Sequence, residues 1–245
     1  MQRLHLSASD LKNSFIKCET NQYHHLFNVC RLTVADKLEC VIDHKRLIII
    51  SISEIQNDGF KFDIVDQFST IQSRKVDVDL IQSLPKQDKL TDVCKLCTEI
   101  GVSNIFPITT EYCDITTLSD NKIKRIHTSI DSAAKQSKQL AIPRFHSLMP
   151  LNDFLNTYQW DAYDVLLIAY EGATSTLSDI NFPSINDIHR ICIAIGPEGG
   201  YSLDDIDHFV SHGFQSFSWG SSIFRTEHAG FAAINYLDGF LSNLP

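Results

Sequence analysis

No apolar run in the chain approaches the ~18 residues that a membrane helix needs. The start, Met1-Gln2-Arg3-Leu4-His5-Leu6-Ser7, has one early basic residue but not the apolar stretch of a secretory leader. A cytoplasmic location without membrane association is therefore expected. A disulfide framework is missing too, because seven cysteines, an odd number in 245 residues, read as reduced thiols. The one C-x-x-C, Cys94 and Cys97, has no second pair at zinc-ligand spacing, and its two members share a face of a helical pattern. It reads as two buried thiols, and no metal is expected. Positive charge is also short: a net charge of −9 argues against broad, non-specific nucleic-acid binding and leaves room for a local basic patch.

What is present is a globular composition, 43% apolar and free of low-complexity tracts, in a chain long enough for two unequal domains. Residues 1–71 read mostly as short strands. Phe15 to Cys18 is a short apolar-polar run, and Thr20 or Asn21 is placed to cap a helix through Val29. Lys37–Ile42 and Arg46–Ile52 follow, with Ile48, Ile50 and Ile52 alternating against Ile49, Ser51 and Ser53, so one face is buried. Asn57-Asp58-Gly59 is a hairpin signal of residues that tolerate positive φ. A small β-barrel hides so many short strands and their edges. Polar residues 69–75 mark the boundary.

Residues 72–245 change character. Strands are expected at Val76–Leu84, Asn104–Ile108, Tyr163–Tyr170, His189–Ile195 and Gln215–Trp219. Helices are expected at Lys86–Ile100, Ser119–Gln139, Ser202–His212 and Thr226–Leu241. This alternation predicts an α/β domain with a largely parallel sheet, whose ligand binds at the carboxyl ends of the strands.

Two strand ends stand out. Ile195-Gly196-Pro197-Glu198-Gly199-Gly200 closes one apolar run, and Gly220-Ser221-Ser222-Ile223-Phe224-Arg225-Thr226-Glu227 follows another. Ser202 with Asp205 resembles a capping box. Neither loop is a G-x-x-x-x-G-K-[ST] or G-x-G-x-x-G motif, which demotes nucleoside triphosphates and dinucleotides as ligands.

Together the two loops resemble the signature loops of the RsmE-type ribosomal RNA methyltransferases of the SPOUT superfamily. Lys95 through Val102 resembles that family's "QKATELGV" helix end, Phe106-Pro107 through Cys113 its "P-x-x-SERC", and His25 with Arg31 its H-x-x-x-V-L-R. The resemblance implies a PUA-like, RNA-binding β-barrel (1–71) before a SPOUT α/β domain (72–245) with a C-terminal trefoil knot. It also implies a homodimer that methylates N3 of a uridine in small-subunit (16S) ribosomal RNA with S-adenosylmethionine.

Carried over by position, Ile195, Gly196, Pro197, Glu198, Gly199 and Gly200 form one wall of the cofactor site and Trp219, Gly220, Ile223 and Phe224 another, with Ile168, Ala169 and Tyr170 as a third. Arg225 and Glu227 are the catalytic candidates: Arg225 to stabilise the developing uracil anion or grip a phosphate, Glu227 to accept the proton or orient Arg225. Glu227 also stands in the first turn of a helix, where a carboxylate is favoured by the dipole alone. Arg3, His25, Arg31, Lys135 and Lys138 are the RNA-binding candidates. Thr33 and Ala35 replace the family's glycines after Arg31, and the arginine of its "EQ-x-x-R" is missing at Lys135–Gln139. These departures touch the RNA contacts and leave the cofactor loops intact. A methyltransferase for another RNA site and a catalytically inactive ribosome-assembly factor are the alternatives.

Overall fold

Alternation along the chain decides which side chains are buried, and the computed structural model, which describes residues 2–11, 14–43, 46–68 and 76–243, follows that alternation closely. The chain divides into two compact units, 1–73 and 74–245. The expected boundary between 71 and 72 lies outside the described residues.

In the first unit, strands β1 (Arg3–Leu6), β2 (Phe15–Lys17), β3 (Lys37–Ile42), β4 (Arg46–Gln56) and β5 (Gly59–Phe68) form one sheet in the order β1-β3-β4-β5-β2. All neighbours are antiparallel except β1 and β3. Ile48, Ile50 and Ile52 point into the core with Leu38, Cys40 and Phe60, as the period of two requires. Register shifts at Ile49/Ile50 and Ile52/Glu54 bend the long β4–β5 hairpin.

The expected hairpin at Asn57-Asp58-Gly59 joins β4 to β5, although none of the three residues takes positive φ; Gly59 is demanded by space, since a Cβ there would stand 2.1 Å from the Ile16 carbonyl oxygen. The expected helix cap fails. Helix α1 (Thr20–Tyr23) is preceded by Glu19, which makes no side-chain cap, and it widens into a π-helical turn over His24–Val29.

The second unit contains β6 (Asp77–Ser83), α2 (Lys89–Glu99), β7 (Asn104–Thr109), α3 (Asp120–Gln136), β8 (Arg144–Phe145), β9 (Met149–Pro150), α4 (Leu151–Thr157), β10 (Val165–Ala169), β11 (Arg190–Ile195), α5 (Leu203–Ser211), β12 (Gln215–Phe217) and α6 (Thr226–Leu241). The sheet runs β12-β10-β11-β6-β7-β8, with β9 also on β7, and every pairing is parallel. Its strands are apolar on both faces, as a sheet covered by helices on both sides must be.

One face, with Leu80, Leu167, Ile193 and Ile195, packs against α2, α3 and α6 through Val93, Cys97, Ile130 and Ala233. The other, with Ile81, Ile168, Cys192 and Ala194, meets Phe154 of α4 and Phe209 of α5. Cys94 and Cys97 are buried thiols, and burial pushes the Cys97 thiol up to about 12, far from reactive. Helix α2 begins later than expected because Gln87 adopts a left-handed backbone, and α3 stops earlier because Lys138 does the same. The short strands β8 and β9 and helix α4 carry too few residues for a readable period.

Candidate functional site

Because the strands are all parallel, their carboxyl ends lie along one edge, and loops leaving adjacent strands meet there. The loops after β10, β11 and β12 enclose a cavity of about 560 Å3, within the range of small-molecule sites. Ala169, Ile195 through Gly200, Trp219, Gly220, Ile223, Phe224 and Arg225 all line it.

The glycine loop has specific reasons for its composition. Gly200 has φ +72°, and a Cβ there would come within 2.6 Å of a Glu171 carboxylate oxygen. Gly220 also has positive φ, with no atom within 4 Å of where a Cβ would stand. Ser202 and Asp205 form the expected capping box, each side chain accepting the other's backbone N–H at 3.1 Å, which fixes where the loop enters α5.

Two side-chain ties bind the loops to each other. The Thr226 hydroxyl donates to the Gly196 carbonyl (2.7 Å) and accepts from Gln82 Nε2 (3.1 Å), whose amide is fully buried under the loops. Lys89 Nζ, at the start of α2, lies 2.9 Å from Glu198 Oε1 and 3.3 Å from Glu227 Oε2. Both Glu198 oxygens also accept the Lys86 backbone N–H at 3.1 Å.

Burial alone would raise the carboxyl pKa of Glu198, but Lys89 and the Lys86 N–H outweigh it and hold the group below its usual range. Glu227 behaves alike: burial is opposed by its own backbone N–H and by Lys89, and the net direction is down. Both are therefore anions at neutral pH, and they share one ammonium. Glu227 lies in the first turn of α6, only 13% exposed, and does not itself line the cavity.

Trp219 is held edge-on between Phe217 and Phe224, each 5.3 Å away, and its indole N–H is buried with no partner. Arg225 is exposed at the cavity, with no ion pair among the described residues.

The third wall differs from expectation. Ala169 lines the cavity, but Ile168 is fully buried on the α4–α5 face, because neighbouring residues of a strand point opposite ways. Tyr170 packs against that same cluster, and Glu171 takes its place in the lining.

The RNA-binding candidates fall in both units, Arg3, His25 and Arg31 in the first and Lys135 and Lys138 in the second. Arg3 is paired with Glu39 at 2.8 Å and its side chain is 8% exposed. His25 is exposed and lies 3.4 Å from the Cys30 sulfur. Arg31 is exposed, with an unusual φ of 54° for a residue with a side chain. Lys135 is tied to Asp131 at 2.5 Å, one turn away, and Lys138 is exposed just past α3.

Lys89, Glu171, Ser218 and Thr226 also line the cavity, although the sequence marks none of them as a binding residue. Thr226 lies inside the second signature loop, whereas Lys89 is 109 residues from Glu198 and no local pattern joins them. Among the described residues, no group of three or more His, Cys, Asp or Glu side chains stands ready to hold a metal.

A parallel sheet whose glycine-rich strand ends wall a cavity defines an α/β protein with a site of small-molecule size. A family profile described as an RNA methyltransferase domain matches residues 72–238, and one described as an RNA methyltransferase PUA domain matches 19–65. The chain belongs to this RNA methyltransferase family, and the resemblance carried by the two loops holds.

Among its relatives is ribosomal RNA small subunit methyltransferase E of Rickettsia conorii, 25% identical over 95% of this chain and 93% of that protein. Ribosomal RNA small subunit methyltransferase E 2 of Borreliella burgdorferi is 28% identical over 99% of both. In fold, the chain matches the crystal structure of a ribosomal RNA small subunit methyltransferase E from Neisseria gonorrhoeae bound to S-adenosyl methionine. That match has a TM-score of 0.85 at 22% identity and covers 98% of each chain.

Proposed function

We propose that this protein methylates N3 of a uridine in small-subunit (16S) ribosomal RNA, with S-adenosylmethionine as methyl donor. The observation that carries the reading is the cavity built by the two signature loops, on a chain whose full-length relatives carry the name ribosomal RNA small subunit methyltransferase E. The residues fit such a donor. Trp219, Ile195, Ile223 and Phe224 offer apolar surface to enclose an adenine, the backbone of the glycine loops offers polar contacts, and the Glu171 carboxylate offers an anion to a cationic ligand.

When bound, S-adenosylmethionine supplies an electrophilic methyl group on sulfur. Uracil must lose its N3 proton as the nitrogen takes up that methyl, so negative charge builds on the base. Arg225, unpaired at the cavity, is suited to stabilise this charge or to hold a neighbouring phosphate. Glu227 is an ionised partner of Lys89 with a lowered pKa, which makes it a weak base and suits it to orienting the loops. Its ion pair is with Lys89, which makes loop positioning a third role beside the proton transfer and the orientation of Arg225 expected of it.

A homodimer belongs to the same reading: Ile223 is 82% exposed and Tyr236 of α6 is 42% exposed, apolar surface that a second copy would cover. So do the knotted chain path and a cytoplasmic location; no helix among the described residues is long and apolar enough to cross a membrane. Mass mapping of nucleosides in small-subunit RNA tests the site. A strain lacking the gene should lack one N3-methyluridine, restored by the intact gene, and an undiminished level would defeat the assignment.

A further inference from the structure

Helices α2 and α3 pack side by side, and along their seam runs a groove of about 400 Å3 that shares no lining residue with the cavity. Thr91 and Lys95, one turn apart on α2, form one bank; Arg125, Ser129, Ser132 and Gln136, along one face of α3, form the other. In a chain of net charge −9, no carboxylate lines this groove and two cations do.

The polar groups are also available. Lys95 has no ion pair among the described residues, and Arg125 has only an exposed contact with Asp88 at 3.5 Å, which Asp88 shares with Lys122. A guanidinium, an ammonium, hydroxyls and an amide around a space free of anions match the several acceptor oxygens of a phosphate.

We propose that this groove binds a phosphate ester, namely a backbone phosphate of the RNA substrate, at a site separate from the methyl-donor cavity. The choice of RNA rests on the function proposed above; the anion chemistry stands on the groove alone. It also moves the basic contact of this unit from Lys135, which Asp131 neutralises, to Lys95 and Arg125.

The test is binding of a small-subunit rRNA fragment to the full chain across 50–200 mM salt. For Lys95→Gln/Arg125→Gln, affinity should fall roughly tenfold, and the slope of log K against log salt should become shallower by about 0.7–0.9 for each phosphate that the groove no longer neutralises. Ser132→Glu, which removes no cation but adds a carboxylate to the groove, should weaken binding as well.

Donor affinity, measured on the same preparations, should be unchanged. A wild-type protein that fails to bind S-adenosylmethionine would count against the proposed function, whereas a wild-type salt slope and RNA affinity in all variants would overturn the groove. Inorganic phosphate and uridine monophosphate titrated alone separate the sources. Saturation that the double variant abolishes, with RNA binding untouched, would overturn RNA as the ligand's source in favour of a free phosphate ester.

Discussion

At the amino ends of the parallel strands, Asp79 is fully buried, yet both of its carboxylate oxygens accept hydrogen bonds. Tyr163 donates to it at 2.7 Å, Asn104 at 2.7 Å, and Arg190 at 2.6 and 3.0 Å, with the guanidinium 4.3 Å above the Tyr163 ring. At the carboxyl ends of the same strands, Gln82 Oε1 and the Trp219 N–H are buried without partners, and Arg225 has no counter-charge among the described residues. One sheet thus carries a closed polar network at one end and an open one at the other. A satisfied network makes no demand on a ligand, whereas the exposed, uncommitted Arg225 at the cavity can meet one, so it is the open end that is equipped for chemistry.

The strongest way to break this comparison is to open the closed end. Asp79→Ala leaves Arg190 partly buried without its anion and should cost about 3–5 kcal/mol in urea denaturation, while the folded variant still binds the donor. A small loss would mean that the network is not structural. At the open end, Arg225→Ala should leave stability and donor affinity intact but slow methyl transfer by about 10²–10³-fold in single-turnover assays. Normal turnover would remove Arg225 from the chemistry.

The Lys89 clamp gives the smallest effect and the sharpest signature. Lys89→Met should weaken donor binding roughly fivefold, because the two loops lose their shared cation. Lys89 and backbone N–H groups hold both the Glu198 and the Glu227 carboxyl below the usual carboxylate range. Their contribution to stability is therefore complete above about pH 4.5 and drains away as pH falls through the lowered values. Lys89→Met should be less stable than wild type at pH 7 and converge with it in acid; parallel curves would exclude the clamp.

Much of this architecture was legible in the chain because periodicity reports burial. Helix α6 has the expected bounds, Thr226–Leu241, and the β-strands of the second unit fall within or near their expected runs, apart from the two-residue β8 and β9. The cavity walls were legible through the two signature loops.

What was not legible depends on distance or on backbone states that many residue types can enter. Gln87 and Lys138 cut two helices short by adopting left-handed conformations that neither residue type advertises. Ile168 read as a wall residue because position along a strand end does not reveal which face it points to. Lys89 joins Glu198 and Glu227 only after α2 has packed beside both loops, and the groove between α2 and α3 requires two helices set side by side.

Calorimetric titration of the purified full-length protein with S-adenosylmethionine puts the open end of the sheet to its most direct test. Saturable binding is expected, weakened by Gly200→Ala, which sets a Cβ against Glu171 on a backbone that favours glycine. A titration with no saturable heat would contradict the assignment of the cavity as a methyl-donor site.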